Sequence, residues 1–368
     1  MAAAGQFHTV VLTSEGRAVA FGSSQFGQCS VPELPAGVRY VGCGAGCEHT
    51  VLLTSDGRAV VFGRLSTTSL AWEGTRPAVP ELPEGVRYVA CAAGSFHTVL
   101  LRSDGRAVAF GGHRYGQCSV PELPEGLRYV RCAGGGGHTV LLTSEGRVVA
   151  FGGDAAGGGL HGTDVGGVGM VPELPESVRY VGCAAGREHT VLLTSEGHAV
   201  AFCYPSALRP EPHYYAVSPV LLRRCTVPEL PEGVRYVGCA AGAFHTVLLR
   251  SDGLAVAFGD TSDGKCVVPD LVEGARYVGC AAGFENTILL TSEGRAVAFG
   301  ADRTLSWTPW RAVPELSEGV RYVDPAVERA RARLSLALVS RRSEDRLVRA
   351  AVEVMTMQGF EQAIGCFL

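Results

Sequence analysis

One unit recurs seven times along the chain, and this repeat limits the fold more than any other feature. Each copy holds an apolar segment that begins His-Thr, or Asn-Thr in the last copy, followed by a turn of Ser, an acidic residue and Gly. The spacing of the turn glycines gives a basic unit of 41 residues, to which some copies add an insertion. A repeat of this size is typical of solenoids and propellers. The turn glycines are Gly16, Gly57, Gly105, Gly146, Gly197, Gly253 and Gly294.

Each unit predicts three short β-strands. Its three apolar runs, of four to six residues, end at Gly or Pro, which is the pattern of strands joined by turns. The acidic residue and Gly between two of these runs indicate a hairpin, because Gly readily adopts the positive φ that such a turn needs. The segment Val-Pro-Glu-Leu is a further candidate strand, which its Pro would restrict to the edge of a sheet.

The pattern within the strands favours a closed ring of small sheets. Large side chains alternate with alanines in 106–110, so both faces of the sheet are apolar and both should be covered. Small sheets repeated around an axis form a β-propeller, and an open solenoid is the alternative. The first His-Thr strand has no Val-Arg-Tyr-Val tetrad before it, and the last tetrad, 320–323, has no such strand after it. We therefore predict that the two ends of the chain pair and close a seven-bladed ring, which removes two sheet edges.

The predicted architecture is an all-β, seven-bladed β-propeller over residues 1–325, with a mainly helical C-terminal tail over residues 326–368. In the tail, Ser343 can cap a helix, apolar residues follow at helical spacing, and Gly359 can end the helix. The apolar stripe of this helix either packs against the propeller or recruits a helix of a partner.

The units resemble the repeats of the regulator of chromosome condensation family. The resemblance rests on segment 186–202, which contains Gly-Arg-Glu-His-Thr and the acidic-Gly turn, and on Phe26-Gly27-Gln28. It covers about residues 1–325 and implies a seven-bladed propeller. The units depart from the family in having Phe where Trp is commoner before Gly, and Cys where Leu usually follows Gly-Gln. Family members exchange nucleotide on a small GTPase, sense ultraviolet light in plants, or recognise targets beside a HECT-type ubiquitin ligase domain, so the fold alone does not define the function.

Histidine occupies the same position in six of the seven units, and asparagine replaces it in the seventh. A ring of metal ligands is one interpretation, but two ligands of one ion must lie within about 4 Å of each other, whereas packed sheets are about 10 Å apart. We therefore predict that these side chains hydrogen-bond to backbone groups between blades and that they hold no metal. The structural repeat positions are His8, His49, His97, His138, His189, His245 and Asn286.

The sequence contains no motif for catalysis or for a cofactor. Nucleophile elbows, Walker loops and zinc-protease helices are missing from it, and the glycine-rich segment 152–159 lacks the Lys of a phosphate loop, which favours a flexible insertion. Most of the 13 cysteines follow the repeat, as small buried strand residues do. A formal net charge of −4 gives no field that would attract nucleic acid or an anionic membrane. We expect neither enzyme activity nor a bound cofactor.

The units differ mainly in the segment between the Phe-Gly strand and Val-Pro-Glu-Leu. This segment has eight residues in three units and is expanded in the others, at 64–78, 153–170, 204–226 and 301–312. Its constant place in the unit puts the insertions on one side of the disc, where they either drift as unconstrained loops or bind a partner. Trp, Tyr and Arg are enriched at binding hot spots, so the candidate partner-binding residues are Trp72, Tyr204, Arg209, Tyr214, Tyr215, Arg223, Arg224, Trp307 and Trp310.

These observations predict a non-catalytic scaffold that binds protein partners through its insertion loops. We expect a monomer in the cytoplasm, with the nucleus as an alternative, because the first residues lack the charged and apolar segments of a signal peptide. The resemblance adds two alternatives, a guanine-nucleotide exchange factor for a small GTPase and the recognition part of a ubiquitin ligase system. Ultraviolet sensing fits poorly, because Cys47-Glu48 and Arg187-Glu188 stand near the places where the plant receptor has tryptophan.

Overall fold

The computed structural model of the protein describes residues 1–65, 78–153, 171–203, 225–300 and 313–323. It contains seven antiparallel sheets of three strands, each with its strands in chain order. We number the sheets blade 1 to blade 7, and the all-β fold predicted from the sequence is confirmed. A 3-10 helix spans Ser262–Gly264. The strands are β1 Ala2–Ala4, β2 His8–Leu12, β3 Ala18–Gly22, β4 Tyr40–Ala45, β5 His49–Thr54, β6 Ala59–Gly63, β7 Tyr88–Ala93, β8 His97–Arg102, β9 Ala107–Gly111, β10 Tyr129–Gly134, β11 His138–Thr143, β12 Val148–Gly152, β13 Tyr180–Ala185, β14 His189–Thr194, β15 Ala199–Cys203, β16 Tyr236–Ala241, β17 His245–Arg250, β18 Ala255–Gly259, β19 Tyr277–Ala282, β20 Asn286–Thr291 and β21 Ala296–Gly300.

The turn glycine of each unit serves both the hairpin and the contact with the next blade. In blade 3, Gly105 adopts a φ of +84°, and its amide donates to the carbonyl of Arg102 at 3.0 Å. A side chain at this position would collide with Arg128, whose aliphatic part comes from blade 4 and lies over the turn. The sequence-based hairpin is therefore present, and the glycine also allows neighbouring blades to approach.

The second strand of each blade packs against both neighbouring blades and forms the apolar core. Val10 and Leu12 of blade 1 pack with Leu52 of blade 2. Val11, on the opposite side of the same strand, packs with Ile288 of blade 7. Because both faces of the strand meet another blade, both faces carry apolar residues, as the sequence pattern indicates.

The Val-Pro-Glu-Leu segments fill the gaps between blades and do not add a fourth strand. The sheets of the described residues have three strands each, so the edge strand suggested by the sequence is wrong. Val31 and Leu34 instead insert among the apolar residues that join blades 1 and 2. The carbonyl of Pro32 accepts a hydrogen bond of 2.8 Å from the hydroxyl of Tyr40. Proline lacks the amide that a ladder requires, and its carbonyl is used in this way to anchor the next blade.

The first residues of the chain and the last tetrad meet in blade 1. Tyr322 forms an antiparallel bridge with Thr13, and the amide of Val323 donates to the carbonyl of Leu12 at 2.9 Å. The amino group of Met1 donates to the carbonyl of Val323. Strand β1 also contacts β4 of blade 2 and β19 of blade 7. Closure of the ring by this pairing stays a prediction.

The remaining sequence-based expectations concern the end of the chain. The predicted tail, 326–368, and its boundary with the propeller lie outside the described residues, and both stay predictions. Within the described ranges, no helix reaches the length and hydropathy that crossing a bilayer would require.

Candidate partner-binding face

The two faces of the disc are built from different parts of each unit. His49 pairs in register with Gly63, so the loop before the His strand and the segment after the third strand lie on one face, which we call the insertion face. The hairpin turns lie on the other, which we call the turn face. The four insertions follow third strands that end at Gly63, Gly152, Cys203 and Gly300, so they all start from the insertion face.

The binding residues predicted in the insertions lie outside the described residues. Their role therefore stays a prediction, and the shorter loops of the insertion face are the part that the structure describes. The residues concerned are Trp72, Tyr204, Arg209, Tyr214, Tyr215, Arg223, Arg224, Trp307 and Trp310.

The repeat histidines link each blade to the next through a threonine hydroxyl. His8 Nε2 lies 2.8 Å from Thr50 Oγ1 of blade 2, and in the last blade the side-chain amide of Asn286 donates to Thr9 Oγ1 at 3.2 Å. The partner is a side chain of the neighbouring blade, whereas the sequence led us to expect backbone groups. The other pairs are His49–Thr98 (3.1 Å), His97–Thr139 (2.9 Å), His138–Thr190 (3.3 Å), His189–Thr246 (3.0 Å) and His245–Thr287 (2.8 Å).

These histidines are neutral structural groups. Thr50 donates its hydroxyl hydrogen to the carbonyl of Gln28 at 2.7 Å, so it accepts from His8, whose ring then carries its hydrogen on Nε2. Burial lowers the pKa of His8 to about 4 and that of His49 to about 3. In the described part of the chain, no group of three side chains is placed to hold a metal ion. These hydrogen bonds therefore join neighbouring blades, and the histidines have a structural role.

Two residues separate Gly from His in each unit, and we call them the rim residues because they surround the propeller axis on the insertion face. Their backbone is fixed by bonds between blades, from the amide of Gln6 to the carbonyl of Gly46 at 3.1 Å and from Phe284 to Gly5 at 3.3 Å. Their side chains vary within this constant frame, which is what a recognition surface requires. The rim pairs are Gln6-Phe7, Cys47-Glu48, Ser95-Phe96, Gly136-Gly137, Arg187-Glu188, Ala243-Phe244 and Phe284-Glu285.

Aromatic residues outside the repeat strands gather on the insertion face. In the described ranges, each blade uses a Tyr at the start of the first strand and a Phe in the third strand as repeat residues, with Tyr322 serving blade 1. All other described aromatic residues lie in the rim or just after a third strand, and each is partly exposed. Partly exposed aromatic side chains are enriched at protein interfaces. They are Phe7, Phe26, Phe96, Tyr115, Phe244 and Phe284.

Three arginines lie near these rings. Arg64 and Arg114 each face one ring, Phe26 and Tyr115 respectively. Arg187 is the one that contacts two, and we call Arg187, Phe244 and Phe284 the axial cluster. The guanidinium carbon lies 5.7 Å from the ring centroid of Phe244 and 5.6 Å from that of Phe284. The two rings meet edge to face, with centroids 5.1 Å apart. Burial raises the pKa of the Cys47 thiol in blade 2 to about 11, and the charge of Arg187 acts in the opposite direction. The charge of Arg187 in blade 5 therefore acts on a rim residue of blade 2.

The chain's single lysine is a buried link between blades 6 and 7. Lys265 takes the place that Gln28 and Gln117 hold in other units, and its side chain is completely buried. Its ammonium lies 2.9 Å from Asp260 and donates to Glu285. Burial opposes the charge, but the hydrogen bonds with these carboxylates outweigh it and raise the pKa of Lys265. The sequence alone gives no reason for this lysine, because its carboxylate partner belongs to another blade.

The turn face carries charges that repeat from blade to blade and are paired locally. Arg17 lies 3.3 Å from Glu15, and Arg58 lies 3.4 Å from Asp56, both across a hairpin turn. The arginines of these pairs are largely exposed, so each pair contributes little to stability. The turn face is therefore a solvated surface of repeated and locally paired charges.

The cysteines of the first strands behave as packing residues. Burial raises the pKa of Cys91 and of Cys239 well above the usual value, and the neighbouring thiols add to this effect. A thiol in such surroundings is uncharged at neutral pH and reacts slowly. The positions are Cys43, Cys91, Cys132, Cys183, Cys239 and Cys280.

Comparison with known proteins agrees with this architecture. The family model of the regulator of chromosome condensation (RCC1) repeat matches residues 2–28 and 86–117. These two segments are therefore similar to RCC1 repeats. The family resemblance inferred from the sequence is thereby confirmed. A search of curated protein sequences finds no match to the chain.

Several solved structures share the propeller fold of this chain. Human WBSCR16 is 16% identical, with a TM-score of 0.58 over 79% of this chain and 86% of that chain. Prp20p from Saccharomyces cerevisiae is 19% identical, with a TM-score of 0.59 over 82% of each chain. The CRINKLY WD40 ectodomain of the Arabidopsis thaliana receptor kinase ACR4 is 16% identical, with a TM-score of 0.55 over 81% of this chain and 94% of that one. At these identities the likeness concerns the fold and leaves function to the residues.

Sequence reasoning compared Cys47-Glu48 and Arg187-Glu188 only with the tryptophans of the plant receptor and did not identify the rim as a candidate binding site. A signal was present, since the two positions vary between a constant Gly and a nearly constant His. The second rim residue is Phe in the three blades with an eight-residue link and Glu or Gly in the four with an insertion. Its carbonyl accepts from the first residue of the link, as from Ser23 to Phe7 at 2.8 Å and from Arg64 to Glu48 at 2.7 Å. The rim and the links therefore form one continuous surface.

Proposed function

We propose that the protein is a non-catalytic scaffold that binds a protein partner through its insertion face. The observation that carries this proposal is the asymmetry between the two faces. The insertion face gathers the described aromatic residues that the repeat does not use, together with Arg187, whereas the turn face carries repeated charges in local pairs. Aromatic residues and arginine supply most of the energy at protein interfaces.

The first experiment compares the two faces directly. The full chain carrying Phe96→Ser and Tyr115→Ser on the insertion face is used in affinity purification with mass spectrometry. A chain carrying Arg58→Ser and Arg147→Ser on the turn face is the matched control. We expect specific partners to be lost from the first variant and kept by the second, with unchanged far-UV circular dichroism in both. Retention of every partner by the insertion-face variant would contradict the proposal.

A second experiment addresses the predicted loops. The insertions 204–226 and 301–312 are each replaced by the chain's own eight-residue link, 23–30. This replacement uses a link that already joins two blades, so the ring should fold. If these loops contribute to binding, the same partners are lost as with the insertion-face variant. If every partner stays bound, the loops have no part in recognition.

Exchange of guanine nucleotide on a small GTPase is the second candidate. Its support is the shared fold with Prp20p, whose crystal structure is described together with binding to Gsp1p and histones. Release of labelled nucleotide from a panel of small GTPases separates the two functions. A pure scaffold leaves the release rate unchanged. An acceleration that the insertion-face variant abolishes would establish exchange activity instead.

The oligomeric state and the cellular location remain proposals of the same kind. We propose a monomer, which light scattering coupled to size-exclusion chromatography tests. We propose a cytoplasmic location, which imaging of the tagged full chain tests, with nuclear signal as the contrary result.

A further inference from the structure

The guanidinium of Arg187 is held in place by aromatic rings, which leaves its hydrogen-bond donors available. Its main-chain amide donates to Gly242 at 3.3 Å, and its side chain lies against Phe244 and Phe284. At these distances a ring attracts the cation through its π electrons and accepts no N–H hydrogen bond in the ordinary sense, so the donors stay available. The side chain is 48% exposed, and its ion pair with Glu188 has an N–O distance of 3.9 Å, too long for a hydrogen bond.

Two other cations of the insertion face are fully engaged by carboxylates. Arg64 places Nε 2.6 Å and Nη2 2.5 Å from the Glu48 carboxylate. Lys265 is buried between Asp260 and Glu285. Arg187 differs from both, because its charge is presented to solvent beside the axis and is not neutralised by a hydrogen-bonded acid among the described residues.

The surroundings of Arg187 favour a carboxylate over a phosphate. A single guanidinium can form two parallel hydrogen bonds with one carboxylate, and the charges then cancel. A phosphate group carries almost two negative charges, and its recognition in proteins usually draws on a cluster of arginines. The Glu188 carboxylate beside Arg187 repels any anion, and it repels a dianion more strongly than a single carboxylate. The rings of Phe244 and Phe284 offer apolar contact to the carbon atoms next to the acid.

We propose that the axial cluster binds an Asp or Glu side chain of the protein partner, with Arg187 as its counter-ion. The inference rests on the proposed function, because it takes the insertion face as the binding face. The acid enters at the axis, where side chains from several blades converge. Phe244 and Phe284 hold the guanidinium in position without consuming its donors, so little ordering is required on binding.

The test uses an array of short peptides and the full-length protein. Each peptide contains a central Asp or Glu and is paired with a peptide that differs only by Asn or Gln at that position. We expect acidic peptides to bind about tenfold better than their amide partners, because a hydrogen bond to a charged group is involved. Arg187→Gln should abolish this difference, and Arg187→Lys should restore part of it. Arg114→Gln is the matched control, since Arg114 is an exposed arginine of the same face.

A second variant keeps the charge and tests the aromatic support. Phe284→Leu retains apolar volume and removes one ring from the guanidinium, so acid binding should weaken about threefold. Melting curves of all variants establish that they remain folded.

The peptide array and the variants give outcomes that either support or overturn the acid-binding site. Equal binding of acid and amide peptides, no peptide binding at all, or an acid preference that survives Arg187→Gln overturns it. Stronger binding of the corresponding phosphoserine peptides also overturns it, in favour of a phosphate site. If the acid preference fails while the Phe96 and Tyr115 variant still loses its partners, the proposed function stands and only the axial site is wrong.

Discussion

Acidification is expected to unfold the propeller at a pH where its carboxylates are still ionised, because the repeat histidines are buried in the neutral form. Burial lowers the pKa of His8 and His97 to about 4 and that of His49, His138 and His245 to about 3. In the unfolded chain the pKa of histidine is about 6.5. Between these values the unfolded state binds more protons than the folded state. Stability is therefore complete above about pH 7 and declines as the pH falls below about 6.5.

The size of this effect follows from the pKa differences. Each buried histidine lowers the free energy of unfolding by about 1.4 kcal/mol for every pH unit below about 6.5. At pH 5 this amounts to about 2 kcal/mol per histidine, or about 10 kcal/mol for the five together. A typical domain has a free energy of unfolding of about 5–15 kcal/mol. The protein should therefore unfold cooperatively near pH 5. Carboxylates with a lowered pKa, such as Asp56, act only below about pH 4.

Urea unfolding followed by circular dichroism, repeated in half-unit pH steps from 7.5 to 5, measures this dependence. The slope of the free energy against pH gives the number of protons taken up on unfolding, which should approach five near pH 5. His97→Asn should reduce that number by about one, because asparagine does not titrate. His113→Asn, at an exposed position outside the buried ring of histidines, is the matched control. A free energy that is constant between pH 7 and 5.5 would refute the reasoning.

Three further predictions concern the links between blades. His97→Ala should cost about 3 kcal/mol of stability by urea unfolding, and His97→Asn about 1 kcal/mol, since Asn286 shows that an amide can reach the threonine; equal losses would contradict this. Deletion of 320–323 should lower the melting temperature by several degrees if this tetrad closes the ring, and an unchanged melt in calorimetry would argue against closure. Lys265→Gln should cost about 3 kcal/mol by leaving the Glu285 carboxylate unpaired, and adding Glu285→Gln should recover most of the loss; no recovery would show that the ion pair is not the cause.

The blades could be predicted from the sequence because the information that forms each of them is local. The hairpin at Gly105 depends on one residue that adopts positive φ, and the strands on either side are short apolar runs. Both are visible within a single unit. Repetition then fixes the number of blades, since a blade cannot cover its own apolar faces.

The contacts between blades were less predictable, because they join residues of different units. The Val-Pro-Glu-Leu segment has the composition of an edge strand, yet Val31 and Leu34 are drawn into the apolar gap between two blades. The histidine position was identified, but its partner was not. His8 and Thr50 are separated by 42 residues, and nothing in one unit shows that the histidine of one blade faces the threonine of the next.

The candidate site was the least predictable part, for a related physical reason. Long insertions attract attention because they interrupt the period, whereas Arg187 stands in a segment of normal length. Arg187 is distinguished by its contacts with Phe244 and Phe284, which belong to two other blades. A cluster assembled around an axis is invisible until the order and direction of the blades are known.

The departures from the repeat have a functional consequence. The constant residues build a frame that is nearly the same in every blade, so a frame of this kind cannot by itself favour one partner orientation over six others. Selectivity must come from positions where the units differ. Among such positions in the described residues, Arg187, Lys265, Phe284 and Asn286 form one sector in blades 5, 6 and 7. Arg131 of blade 4 is a further departure, since the first strands of five other blades have Gly or Ala there. A partner that contacts this sector is therefore held in one rotational setting about the axis, which the symmetric part of the ring could not specify.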